Sequence, residues 1–306
     1  MTKIAQNNAN LSKKTSIVGL DIGNALLKSS TGVILDAKIT ASEPFATANK
    51  LIIDDETYYL GYGDYDATYR KVDKKHYIDM MYGLLAFSTK TVNNIVTLGL
   101  PLNQYKTDKN ELINMVMQNN KKTVVINDIE KPLVIENCEV FPEGIATLGD
   151  DYQGIVVDFG GGSIDCALVV NEGDNRTITT PISLPMGTIT LYTDISNILN
   201  NKYGLKLGIE EAKRVLERKK LLLDGLEADI SPVLKYYEEY LSKIISRLNS
   251  NYSLRTEHIS LTGGGSNMLY EILEPMYKKA VTIQDKPLLS NANSYYELGL
   301  TVFGEE

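Results

Sequence analysis

The sequence predicts an α/β chain built as two related halves, and three observations carry that reading. Strand-like apolar runs ending in glycine turns are interspersed with helix-length amphipathic segments. The stretch GLDIGNALLKSS near the start is echoed in mid-chain by VVDFGGGSIDCAL: each ends a strand on aspartate, turns on glycine within two residues and re-enters a strand. A third glycine turn, LTGGGSNM, follows a short apolar strand and opens a helix.

Composition bounds what such a chain can do. Its 306 residues, 43% of them hydrophobic, suffice for two domains of ordinary size. The longest apolar runs, such as Ile155–Val157 and Ile95–Leu102, fall far short of the roughly 18 residues that span a bilayer, and the start has no leader pattern, so a cytoplasmic protein without a membrane partner is expected. Cys138 and Cys166 sit in apolar strand-like segments, away from His76 and His258, which supports neither a disulfide framework nor a Cys/His metal site. A net charge of −8 with no basic stripe argues against direct nucleic-acid binding. Any link to DNA would run through a partner.

In chain order, residues 1–15 are polar and aperiodic and read as a loose tail. Strands are expected at Ser16–Asp21, Leu26–Ser30 and Val33–Thr40, turning at Gly23-Asn24 and Thr31-Gly32, and a hairpin over 51–63 with Asp54-Asp55 at its tip. Gly61-Tyr62-Gly63 lacks the third glycine of a dinucleotide motif and reads as a hairpin end. A helix over His76–Ser88 would turn Ile78, Met81, Leu84 and Leu85 to the core. Strand Asn94–Leu100 stops at Pro101, a helix over Asp108–Asn120 starts from Thr107 or Asp108 as cap, and strands Lys122–Ile126 and Leu133–Val140 lead to FPEGIATLG. The second half opens with strands Gly154–Asp158, Ile164–Val170 and Thr177–Ser183. Helices at about 187–202, 208–223 and 230–249, a strand Ile259–Thr262, a helix 267–279 and a last helix from about 294 complete it.

A glycine triplet in a strand–turn loses packing and backbone entropy unless something must come close. Glycine turns let backbone N–H groups reach phosphate oxygens, and aspartates beside them suit a hydrated Mg²⁺ that bridges carboxylate and phosphate. Two such hairpins at matching places, plus the third turn, point to a nucleoside triphosphate. The sequence has no G-x-x-x-x-G-K-[ST], which excludes a P-loop protein.

The order Asp21-Ile22-Gly23 with Lys28, then Glu143, then Asp158-Phe159-Gly160-Gly161-Gly162 with Asp165, then Gly263-Gly264-Gly265 resembles the actin, DnaK-type chaperone and sugar kinase superfamily. With FPEGI and the ending NANSYYELGLTVFG, it is most similar to the plasmid-segregation actins of the ParM type. The resemblance implies two actin-like (ribonuclease H-like) domains with a nucleotide cleft between them: 16–153 plus 287–306, carrying a small insertion at 51–75, and 154–286.

It also implies roles. Asp21 and Asp158 would orient Mg²⁺, Asp158 sharing the catalytic role with Glu143, which would position the attacking water. Glu143 is also what a helix N-terminus favours electrostatically. Gly23, Asn24, Gly160, Gly161, Gly162 and Ser163 would cradle phosphates, with Asp165 bracing the second turn and Lys28 reaching the β- or γ-phosphate. An exposed strand lysine is the other reading of Lys28. In IEEAKRVLERKK, Glu210 would accept ribose hydroxyls while Lys213 and Arg214 cover a purine, although the same spacing suits i, i+3 and i, i+4 charge pairs. Gly263, Gly264, Gly265 and Ser266 would close the pocket. The implied activity is hydrolysis of ATP (or GTP) with Mg²⁺, driving a filament of the protein itself that segregates plasmid DNA through a DNA-binding adaptor. A small-molecule kinase, with a carboxylate deprotonating a hydroxyl acceptor, is the alternative. The 19 tyrosines, with pairs at Tyr58-Tyr59, Tyr236-Tyr237 and Tyr295-Tyr296, fit either repeated protein contacts or the core.

Overall fold

A computed structural model describes residues 14–46, 48–66, 68–149, 151–172 and 175–304. The loose tail expected over 1–15 lies, up to residue 13, outside them. The described chain divides into two compact units, one taking in residues up to 149 together with 285–304, the other residues 151–284.

The first unit runs β1 (Ser16–Ile22), β2 (Leu26–Ser29), β3 (Ile34–Asp36), β4 (Lys38–Thr40), β5 (Asn49–Ile53), β6 (Glu56–Tyr65), α1 (Tyr77–Ser88), β7 (Asn93–Leu100), α2 (Leu102–Gln118), β8 (Lys121–Ile126) and β9 (Ile129–Pro142). The second runs β10 (Gly154–Phe159), β11 (Ile164–Glu172), β12 (Asn175–Leu184), α3 (Thr188–Tyr203), α4 (Ile209–Arg218), β13 (Leu222–Leu223), β14 (Leu226–Glu227), α5 (Ser231–Asn251), β15 (Ile259–Thr262), α6 (Ser266–Tyr277) and β16 (Val281–Ile283). The final helix α7 (Ser290–Phe303) returns to the first unit.

Within the described residues the first sheet has the order β3-β2-β1-β7-β9-β8-β5-β6-β4 and the second β12-β11-β10-β15-β16. The repeat seen in the sequence is therefore a repeat of topology. In each unit a three-strand antiparallel meander leads into parallel strands, β1 on β7 and β7 on β9 in one, β10 on β15 and β15 on β16 in the other. Helices pack on these central strands, α1 and α7 on β1 and α6 on β10, so β1 is buried from Val18 to Ile22 and β10 throughout rather than in alternation.

Local departures from the sequence reading have local causes. The single strand expected over Val33–Thr40 is two, because the buried Ala37 gives its N–H to the Ala25 carbonyl (2.8 Å) and the chain leaves the β2 edge for β6. Gly61 and Gly63 are not a hairpin end but lie inside β6 at φ +84° and +97°, where the register against β4 shifts. Helix α1 is buried nearly all round, Met80 and Tyr82 included, while Ile78 is only half-buried. Helix α2 starts six residues earlier than Thr107 or Asp108 would cap it, directly after Pro101. The Thr107 hydroxyl bonds back to the Gln104 carbonyl (3.1 Å), and the Asp108 carboxylate is taken by Arg70 at 3.0 and 3.1 Å. Helix α4 stops at Arg218, not near 223, since Lys219 is left-handed (φ +50°) and Asp224-Gly225, both at positive φ, turn a small hairpin. None of the paired tyrosines is exposed, Tyr58, Tyr236, Tyr237 and Tyr296 being half-buried, and Tyr77, Tyr82 and Tyr295 are among the largest fully buried side chains and belong to the core, whereas Tyr69 is exposed. No helix among the described residues is long and apolar enough to cross a membrane.

Helix α7 seals the first sheet over β1 and β7 by close approach. A Cβ at Gly19 would stand 2.1 Å from the Ala292 carbonyl oxygen, and one at Gly99 would overlap the buried Tyr295 ring. Because the obstacle at Gly19 is backbone, Gly19→Ala is expected to destabilise the protein by about 1–3 kcal/mol, read as a lower urea midpoint at unchanged slope.

Candidate functional site

The first unit's site is built on the hairpin between β1 and β2. Asp21 faces Lys28 across the strands, Ile22 pairs with Leu27, and Gly23 N–H closes the turn onto the Leu26 carbonyl at 3.1 Å. Lys28 is not an exposed strand lysine. It is 9% exposed and its ammonium lies 2.6 Å from Asp21 Oδ2. The N–H groups of Asn24 and Ala25, between Gly23 and Leu26, donate to no acceptor among the described residues.

Two lysines that the sequence reading passed over join this hairpin. Both come from the short 3₁₀ turn after β6, residues Lys71–Asp73 and the Lys74 that follows. Gln104, in the first turn of α2, accepts the Lys71 N–H (3.2 Å) and donates to the Tyr69 carbonyl (2.9 Å), while Arg70 grips Asp108. That docking holds Lys71 at 2% exposure, with its ammonium 2.5 Å from Glu143 Oε1, 3.2 Å from the Gly99 carbonyl and 3.9 Å from Asp21 Oδ1. Lys74, 5% exposed, donates to Asn24 Oδ1 at 2.6 Å.

Glu143 does not start a helix, as the sequence reading had it. It follows β9 directly, gives its N–H to the Leu100 carbonyl (2.9 Å), and precedes Gly144 at φ +72° and a three-residue 3₁₀ turn. The position is fixed by β7 and by Asn291 of α7, which accepts the Gly144 N–H at 3.0 Å, rather than by a helix dipole. Asn291 also bonds the Asp21 carboxylate. Burial pushes the Asp21 carboxyl up, but the charges of Lys28 and Lys71 and the hydrogen bonds from Lys28 and Asn291 outweigh it and hold it below the usual carboxylate range. The Tyr77 hydroxyl, buried in the same unit, has no hydrogen-bond partner among the described residues, and burial followed by the Cys138, Glu143 and Asp21 charges drives its pKa well up.

The second unit repeats the hairpin in the same register. Asp158 faces Asp165, Phe159 pairs with Ile164, and Gly160 N–H closes onto the Ser163 carbonyl at 2.9 Å. The first N–H groups of α3 take up the turn's carbonyls, Thr188 on Gly160 (3.1 Å) and Ile189 on Gly161 (3.0 Å). The N–H groups of Gly161 and Gly162 donate to no backbone acceptor among the described residues. Ser163 spends its hydroxyl on Asp165 Oδ2 at 2.7 Å, so the side chain bracing this turn is a serine–aspartate pair.

The third turn answers why the glycines stand there. A Cβ on Gly263, at φ +84°, would sit 2.4 Å from Asp158 Oδ1 and 2.5 Å from the Phe159 carbonyl, and one on Gly265 would enter the Phe159 ring. Gly265 N–H donates to that carbonyl (2.9 Å), Gly264 is exposed, and the buried Ser266 hydroxyl at the start of α6 has no partner among the described residues. Gly263, Gly265, Ser266, Asp158 and the Gly160–Ser163 turn are thus brought together. The α4 residues are placed differently: Lys213 and Arg214 are exposed, Glu210 is half-buried, and Arg214 pairs with Glu211 (2.8 Å) rather than with Glu210. Both cysteines are buried and free, with thiols pushed up by burial, Cys138 to about 12. Among the described residues no group of three or more His, Cys, Asp or Glu is set to hold a metal ion by itself.

Two α/β units, each carrying a meander hairpin with an aspartate two residues before its glycine, make up an actin-like fold. The chain belongs to the actin-like proteins: residues 19–145 match the N-terminal domain of actin-like proteins, and residues 156–275 match the C-terminal domain of the archaeal, MreB-like actin homologue. The fold is similar to a 15-stranded ParM filament from Clostridium botulinum (TM-score 0.74, 17% identity, 93% of this chain and 99% of that one). It is also similar to the archaeal actin homologue Ta0583 in complex with ADP (0.78, 17%, 93% and 99%) and to the filament of AlfA from Bacillus subtilis plasmid pLS32 (0.62, 16%, 95% and 99%). No curated protein matches the sequence.

Lys71 is buried and the Glu143 side chain is only 12% exposed, so Lys71→Met, which removes the carboxylate's ion-pair partner, is expected to destabilise the protein by about 2–3 kcal/mol in denaturant titration. The lowered pKa of Asp21 has its own signature. Its contribution to stability is present above the ordinary carboxylate value of 3.8 and is lost as pH falls through the lower folded value. Denaturant midpoints measured from neutral pH down to about 2 should fall below that ordinary value, and fall less steeply in Asp21→Asn.

Proposed function

We propose that the protein is an ATPase of the actin-like kind, which binds ATP or GTP with Mg²⁺, polymerises into filaments and drives plasmid segregation through a DNA-binding adaptor. One observation carries the reading: two hairpins in matched register, each with a buried aspartate two residues before its glycine and two turn N–H groups left to receive an anion. The ParM and AlfA chains, which share this fold over nearly their whole length, are found as filaments, and the Ta0583 chain is found with ADP.

Each part of the chain then has a task. The N–H groups of Asn24 and Ala25, and those of Gly161 and Gly162, hold phosphate oxygens. Gly263 keeps the third turn tight on Asp158, and the Ser266 hydroxyl is a spare hydrogen-bonding group beside it. Glu143, its side chain fixed by Lys71 at 2.5 Å, orients a water for in-line attack on the terminal phosphoryl group. The buried carboxylates of Asp21 and Asp158 are the hard oxygen donors that suit Mg²⁺ and its waters, and the bound ion would neutralise charge on the phosphates. Helix α4 offers Glu210, Lys213 and Arg214 to the nucleoside. Exposed apolar side chains on the β13–β14 hairpin, Leu222 and Leu226, and Phe45 in the first unit are surfaces that self-assembly would cover.

Light scattering and phosphate release, followed together after adding ATP and Mg²⁺ to the purified protein, test this. Scattering should rise above a threshold protein concentration and decay as phosphate accumulates. In Glu143→Ala the release should slow by about 10²-fold while the scattering persists. Flat scattering across protein concentration, nucleotide and salt would discard the filament and make hydroxyl acceptors the next substrates to try.

A further inference from the structure

We infer that Lys74 is the cation that binds the nucleotide's phosphate chain at the first hairpin, the task that the resemblance gives to Lys28. The inference rests on the nucleotide reading above and adds to it a residue that the sequence comparison does not supply.

Charge placement is the first argument. Three lysines are buried around the hairpin, Lys28, Lys71 and Lys74, against the carboxylates Asp21 and Glu143. Lys28 sits on Asp21 and Lys71 on Glu143. Lys74, at 5% exposure, has only neutral partners: Asn24 Oδ1 at 2.6 Å and the Asp66 main-chain carbonyl at 3.4 Å. No carboxylate lies within 4.0 Å of its ammonium among the described residues. A buried ammonium with no carboxylate in contact is costly, and an ammonium has three donors, of which these partners use two.

Position is the second. Lys74 is bonded to the side chain of Asn24, the residue whose own N–H, with that of Ala25, donates to nothing among the described residues. One turn therefore carries two unspent backbone donors and a buried cation, which is the donor set of a phosphoryl oxygen site. Lys28, opposite Asp21 in the strand ladder, is already neutralised.

The environment also gives the site a pH signature. Burial, and then the charge of Lys71, depress the Lys74 ammonium to about 8, against the opposing pull of Asp66 and Glu143. The Asp66 carboxylate is itself engaged by the Thr68 N–H (2.8 Å), with His76 a further nearby charge when protonated. An anion binds the protonated form, so affinity should be full below about pH 8 and decline above it.

The test is calorimetric titration of the full chain with ATP and with ADP, in Mg²⁺, from about pH 7.5 to 9, where the last phosphate ionisation near 6 is complete. Wild-type affinity should fall about five- to tenfold over that range. Lys74→Arg, which keeps its charge throughout, should bind with a flat profile, and Lys74→Met should bind at least about tenfold more weakly than wild type at pH 7.5. Should Lys74→Met fail to fold, the wild-type and Lys74→Arg profiles decide alone. A flat wild-type profile, or a Lys74→Met variant binding within twofold of wild type, overturns the role of Lys74 while leaving nucleotide binding intact. If the wild type binds neither nucleotide at any pH, the nucleotide reading falls and this inference with it.

Discussion

The ion pair between Lys71 and Glu143 is the contact on which the first unit's site depends. Glu143 follows β9, Lys71 opens the 3₁₀ turn between β6 and α1, and their 2.5 Å approach closes only if that segment lies against the first turn of α2. Arg70 on Asp108 and Gln104 on the neighbouring backbone make it do so. Glycine at position 99 leaves room for the buried Tyr295, and the Gly99 carbonyl takes the second Lys71 donor. A buried pair of this kind adds little net stability by itself, because both ions lose their water. Its worth is positional: a carboxylate held by a buried ammonium, beside an aspartate whose charge the same lysine helps to keep.

The two hairpins show which parts of such a site belong to the backbone and which to side chains. Their ladders superimpose residue for residue in register, from aspartate to glycine to the closing turn bond. What faces each aspartate differs. Lys28 opposite Asp21 makes a neutral pair, whereas Asp165 opposite Asp158 puts two carboxylates together, one of them braced by the Ser163 hydroxyl. Like charges facing one another across a sheet are unfavourable without a compensating cation, so the second hairpin is electrostatically the more demanding of the two.

How much of this could be read from sequence follows from how local each signal is. The meanders, the paired aspartates and the three glycine turns were legible because strand ends and glycine turns are written in consecutive residues. Lys71 and Lys74 were not. In YRKVDKKHY they look like part of a solvated charge run, and no local pattern marks a lysine that tertiary docking buries. The start of α2 was misplaced for a related reason: Asp108, read as a cap, is the partner of an arginine 38 residues away. The surroundings of Glu143 were misjudged, since a strand and α7 hold it where a helix terminus was expected.

Lys28 carries the sharper lesson about resemblance. The strand-pairing register places it on the same face as Asp21, and two opposite charges at facing positions of a buried ladder will pair before either reaches outward. A role carried over by motif position alone ignores that competition. Lys74 comes from a segment with no motif, yet it arrives at the turn with its charge uncommitted, because its partners there are an amide oxygen and a main-chain carbonyl. Where several cations converge on one turn, the one left to meet an incoming anion is the one whose nearest oxygens carry no charge.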